Sequence, residues 1–113
     1  MAANYEELGG AEGAAELYAQ RVLVLTKQML RCAKRQEWES VMERDRLRVK
    51  QLEKLSGVSD ASSRARRCLA DALEIENNVR RLMETERNRL GEASRKERQQ
   101  LNASKAYSQA SDD

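Results

Sequence analysis

Apolar residues in this chain return at steps of three and four. Tyr18, Val22, Leu25, Met29 and Cys32 alternate steps of four and three, which aligns them along one face of an α-helix. That predicts a first helix over about 14–35. After a break in phase near Arg35 to Glu37, Trp38, Val41, Met42, Val49, Leu52 and Leu55 repeat the pattern, with Asp45 as one polar interruption. The chain must reverse at that break, so a second, antiparallel helix is expected over about 37–55. Ser56, Gly57, Val58, Ser59 and Asp60 form a turn cluster in which Gly57 suits a helix C-terminus and Ser59 or Asp60 can cap the next helix. A third helix over about 60–90 follows, its stripe formed by Ala65, Cys68, Leu69, Ala72, Ile75, Val79, Leu82 and Met83. Three helices with short connections predict an all-α, up-down-up bundle.

Composition strengthens this expectation. Proline and phenylalanine are absent, 35% of residues are charged, and no run of alternating β-branched residues occurs. A chain of 113 residues has material for one small core. Each larger apolar side chain contributes about 1.5–3 kcal/mol on full burial, against a chain entropy of similar total size. The start, MAANYEELGGAEGAAEL, is acidic and glycine-containing, which leads us to expect a flexible segment over 1–13 rather than a secretory leader. No apolar run approaches the ~20 residues that cross a bilayer, so a cytoplasmic protein without membrane insertion is expected. Cys32 and Cys68 fall in the apolar stripes and read as small core residues. A bridge between them is disfavoured, because a second helix of ~18 residues would hold the two ends ~27 Å apart.

Candidate chemistry is sparse. Histidine is absent, removing the commonest general base and the commonest metal ligand, and two cysteines alone do not complete a zinc site. Gly9, Gly10 and Gly13 lack the strand and the GK[ST] of a phosphate-binding loop. Glu74, Glu76, Glu84 and Glu86 are interleaved with arginines and read as a solvated helix face. No enzymatic activity, cofactor or metal is expected. The third helix is rich in arginine, including Arg64, Arg66, Arg67, Arg80, Arg81 and Arg87. Acidic residues alternate with these, the formal charge is only +2, and no aromatic residues interleave to stack on bases. Nucleic acid is therefore not an expected partner.

Apolar surface in excess of a small bundle's needs is more informative. Val22, Leu23, Val24 and Leu25 are consecutive and point all round the first helix. Leu69, Leu73 and Met83 broaden the stripe of the third. Gly91 offers a break in a third helix that is otherwise too long for its neighbours. Beyond the polar run SRKERQQ stands a second apolar set, Leu101, Ala103, Ala106 and Tyr107. We therefore expect a bundle over 14–98 and a short, detachable fourth helix with its tail over 99–113.

The helical hairpin with AKRQEWESVMERD at its junction, the long third helix and the polar stretch leading to LNASKAY resemble the FliT family of flagellar type III export chaperones. The sharpest parts are Ala33, Glu37 and Trp38 at the junction, and Leu101, Asn102, Ala106 and Tyr107 in the tail. Two departures stand out. Gln36 replaces a glycine often found before the Glu-Trp pair, and Ser104 and Lys105 lengthen the usual tail spacing.

The resemblance implies a cytoplasmic chaperone that binds the C-terminal segment of the filament-cap protein FliD, prevents its premature assembly and targets it to the export apparatus. It also implies contacts with the export gate and export ATPase, and in some members with the flagellar master regulator. A last helix that folds over the cargo groove and is displaced would make the protein autoinhibited. An amphipathic cargo helix needs a groove, and the candidates to line it are Met42, Val49, Leu52, Leu69, Leu73, Ile75 and Met83. Trp38 reads as a packing anchor between the first two helices. Asn102 and Tyr107 match the family's tail motif and are the candidates for docking to the export gate or for closing the groove. Two other classes use the same stripes: a coiled-coil scaffold that homo-oligomerises, and a regulator bound to the flagellar transcriptional activator.

Overall fold

The computed structural model describes the backbone of residues 2–58 and 62–111 and the side chains of residues 13–58 and 62–110. Among these residues there are three helices and no strand: α1 (Ala2–Lys34), α2 (Trp38–Ser56) and α3 (Ser63–Ser111). Two of these helices are longer than the sequence pattern predicts. α1 takes in the stretch expected to be flexible: its alanines and glutamates favour helix, although Gly9, Gly10 and Gly13 each cost about 1 kcal/mol there. α3 passes through Gly91, where a break was expected, without interruption. A β-carbon at Gly91 would meet nothing within 4 Å, so neither packing nor backbone conformation requires glycine there.

The chain divides into two compact units, Met1–Arg80 and Arg81–Asp113. In the first, α1 and α2 pack along their length as an antiparallel hairpin. Ala15 and Ala19 at the middle of α1 share a cluster with Leu55 at the end of α2, whereas Gln28 and Arg31 near the end of α1 line a notch with Arg44 in the first half of α2. The first turns of α3 join the same cluster through Ala65, Cys68 and Leu69.

Burial follows a seven-residue rhythm. Ala15, Val22 and Met29 alternate with Ala19, Thr26 and Ala33 along α1, and Ala65, Ala72 and Val79 are buried on α3. Small residues at these seam positions let helix backbones approach closely. The hydroxyl of Thr26, the one buried polar side chain of the described core, donates to the Val22 carbonyl at 2.7 Å and so carries no unsatisfied group inside. The expected stripe residues Tyr18, Leu25 and Cys32 lie one step aside and are half-buried. Both cysteines are free thiols.

The connection from α1 to α2 is set by Gln36. Its φ of 61° is left-handed. Gln36 N–H donates to the Ala33 carbonyl at 3.0 Å and Glu37 N–H to the Cys32 carbonyl at 2.9 Å, the paired bonds of a Schellman ending. Gly57 closes α2 where expected, but at φ −80°, so its left-handed freedom is not used. Ser59 and Asp60, the expected caps of the third helix, lie outside the described residues. Ser62 caps it instead, its hydroxyl accepting from Ala65 N–H at 3.2 Å and donating to the Glu16 carboxylate at 2.9 Å, which ties the start of α3 to α1.

Asp45 has a partner rather than being a lapse in the α2 stripe. Arg48 donates to it at 2.6 and 3.0 Å and reaches Glu76 of α3 at 3.3 Å, while Arg80 meets the same Glu76 oxygen at 3.0 Å. The Arg48 and Glu76 side chains are each only 14% exposed. Glu76 therefore does not belong to a solvated face, as its interleaving with arginines suggested. Its position on α3 turns it towards α2, where a guanidinium meets it.

In the second unit α3 continues as helix, and every described side chain from 87 to 110 is exposed. Two hydrogen bonds from Arg89, helped by its charge and opposed by slight burial, hold the Glu86 carboxyl below the ordinary carboxylate range. The same pair raises Arg89. Glu86's support for the helix is thus present above the ordinary carboxylate range and is lost as pH falls through the lowered value.

Gln36→Gly removes a left-handed side-chain conformation and should raise stability by about 0.5–1 kcal/mol in urea unfolding; an unchanged or lower midpoint would show that the turn is unstrained. Glu76→Ala leaves Arg48 half-compensated and should cost about 1–3 kcal/mol. The double change Arg48→Met with Glu76→Leu should instead recover most of that loss, and failure to recover would assign the pair a net stabilising role.

Candidate functional site

The bulky apolar side chains displaced from the small-residue seam define the candidate surfaces. Of the predicted cargo-binding residues, Met42 and Val49 on α2 are exposed, as are Leu73 and Met83 on α3, with Leu73 reaching 57%. Leu52 and Ile75 are half-buried. Leu69 packs against the Ala15–Ala19–Ala65 cluster, so its contacts are those of a core residue. Met42 lies in an open groove with Trp38, Glu39, Glu43 and Arg46. Trp38 opens α2, is half-buried, and has an indole N–H that is buried without a hydrogen-bond partner among the described residues. In the tail, Asn102 and Tyr107 are both helical and exposed, Tyr107 to 80%.

One surface escaped the sequence reading. Leu17, Arg21, Val24 and Leu25 of α1 face Leu47 and Gln51 of α2 across a groove of about 430 Å³. Val24 is 51% and Leu47 45% exposed. The four consecutive apolar residues at 22–25 signal an α1 covered on more than one side. Leu47 gave no such signal, because it falls out of phase with the α2 stripe. Further along the same seam, Gln28, Arg31, Cys32, Arg35 and Arg44 line a smaller notch of about 240 Å³.

Among the described residues no group of three or more acidic or thiol side chains is placed to hold a metal ion, and no helix is long and apolar enough to cross a membrane. What the surfaces offer is apolar side chains in open grooves between or along helices, the setting in which an amphipathic helix binds.

No curated protein and no solved structure matches the chain. A family model does, described as flagellar protein FliT, over residues 17–109. That span runs from the α1–α2 hairpin to the tail residues Asn102 and Tyr107 and covers most of the chain. The chain therefore belongs to the FliT family and shares its general role, that of a flagellar export chaperone.

Proposed function

We propose that this chain is a cytoplasmic chaperone for the C-terminal segment of the filament-cap protein FliD, keeping it from assembling early and handing it to the type III export apparatus. Family membership over residues 17–109 carries this reading. The exposed Met42, Val49, Leu73 and Met83 support it, since apolar residues that the fold leaves at the surface are available to an amphipathic cargo helix. In this reading the helices form an antiparallel up-down-up bundle, with Leu52 and Ile75 at the margin of the cargo surface and Leu69 beneath it.

The stretch over 99–113 acts as the regulatory element. Glycine inside a helix is about 1 kcal/mol less favourable than alanine, which makes Gly91 the least costly place for α3 to part. Once parted, the last turns bring Leu101 and Tyr107 to compete for the cargo surface, lowering apparent affinity by reducing the fraction of binding-competent molecules. Tyr107 and Asn102, released by cargo, then dock to the export gate. The export ATPase is a further partner, as is the flagellar master regulator.

The test is calorimetric titration of the filament-cap C-terminal peptide from the same organism into the full chain and into a version ending at Gln99. Binding should occur in both cases and tighten by roughly tenfold on truncation. Equal affinities would remove the gate and keep the chaperone. No binding to either form would overturn the cargo assignment.

A further inference from the structure

We propose that the seam between α1 and α2 is a second docking surface, separate from the cargo surface, and that it takes an acidic amphipathic helix from a partner protein. The proposal rests on how two features follow each other along one groove. The apolar part holds Leu17, Val24 and Leu47. One turn beyond Val24 comes Gln28, and one turn before Leu47 comes Arg44, so the groove runs directly into the notch that carries Arg31, Arg35 and Arg44. No carboxylate is among the described residues lining either part.

The cations there are incompletely used within the chain. Arg35 meets Glu37 only at 4.0 Å, Arg44 donates to the Ser40 carbonyl at a long 3.4 Å, and its Nε is buried with no hydrogen-bond partner among the described residues. In the apolar part the Gln51 side-chain oxygen is buried and likewise unpartnered. A ligand with apolar side chains at one end and carboxylates at the other would cover the first part and pair with the second.

The seam's shape selects a helix. Both walls are helices whose backbone groups are satisfied internally, so an extended strand finds no main-chain partner, whereas a third helix can seat its i, i+3, i+4 and i+7 side chains between them. Val24 and Arg31 are seven residues apart, or about 10.5 Å along α1. The partner helix should therefore carry its carboxylates about two turns from its apolar anchors. A second copy of this chain is the competing occupant, because its start, MAANYEELGGAEGAAEL, is acidic although the whole chain carries a formal charge of +2, and the test below separates the two. Leu47 is about 140° round α2 from Met42 and about 160° from Val49, which places this surface on a different side of that helix from the cargo candidates.

The probe is a synthetic helical peptide of about 18 residues with leucines at i and i+4 and a pair of glutamates about seven residues further on, together with a twin carrying lysines in place of the glutamates. Backbone NMR of the full chain should show saturable shifts around Val24, Arg31 and Leu47 with the acidic peptide, and roughly tenfold weaker binding of the twin. Val24→Glu and Arg31→Glu, both at exposed positions, should each weaken the acidic peptide by roughly tenfold while leaving the thermal midpoint and the affinity for the cap-protein peptide unchanged. Shifts confined to the Trp38–Met42 face, equal affinity for the two peptides, or no saturable shift up to about 1 mM would overturn the proposal. Concentration-dependent self-association abolished by Val24→Glu would overturn it in favour of a second copy.

Discussion

Close helix approach over small residues is the constraint on which the rest of this structure depends. Ala15, Ala19 and Ala65 make a fully buried cluster, and Ala33 and Ala72 extend the same kind of packing along their helices. An alanine buries little area, but it lets neighbouring backbones come near enough for the valines at 22, 41 and 79 to fill the space between. Met29 apart, leucines and methionines then have no room at the seam. They are pushed to its margins, as with Leu55 and Leu69, or out to the surface, as with Leu17, Met42, Leu47 and Leu73, where Val24 joins them. A fold held by small residues thus supplies bulky apolar surface as a direct result of its packing, and a chaperone needs such surface for partners that are themselves amphipathic.

Polar groups then fix what small residues leave underdetermined. Alanine seams are smooth, and a smooth seam resists sliding less than an interdigitated one. Arg48, bonded to Asp45 on its own helix and to Glu76 across on α3, supplies a directional contact at one level. Ser62, bonded to Glu16 of α1, supplies another where α3 begins. At the reversal between α1 and α2, the left-handed Gln36 closes the first helix and aims the second back along it. These contacts hold the surfaces in place without filling the core.

How much of this was legible in the sequence depended on which physical signal each residue carried. The three helices followed from apolar periodicity, and the reversal near Arg35–Glu37 from its break in phase. The ends did not. The glycines of the N-terminal stretch and Gly91 mark breaks in the sequence, but the helix-favouring residues around them carry helix through. Glu76 was misread because arginines at neighbouring helical positions offer it local partners, while its cross-helix partner Arg48 is 28 positions away and leaves no local trace. The cargo candidates Met42, Val49, Leu73 and Met83 could be named from the stripes, but separating them from Leu69 required knowing which side of α3 the alanine cluster occupies. Leu47 was invisible for the reason that makes it a surface residue: it is out of phase with its helix's own core.

The claim that bulky apolar side chains outside the alanine seam serve partners rather than the fold is tested most directly by one pair of measurements on the double variant Val49→Ser with Leu73→Ser. Its urea unfolding midpoint and its affinity for the filament-cap C-terminal peptide are compared with those of the parent chain. We expect an unchanged midpoint and an affinity reduced by roughly tenfold or more. A midpoint that falls by the equivalent of several kcal/mol, with peptide affinity retained by the folded fraction, would mean that these residues are core and that the account is wrong.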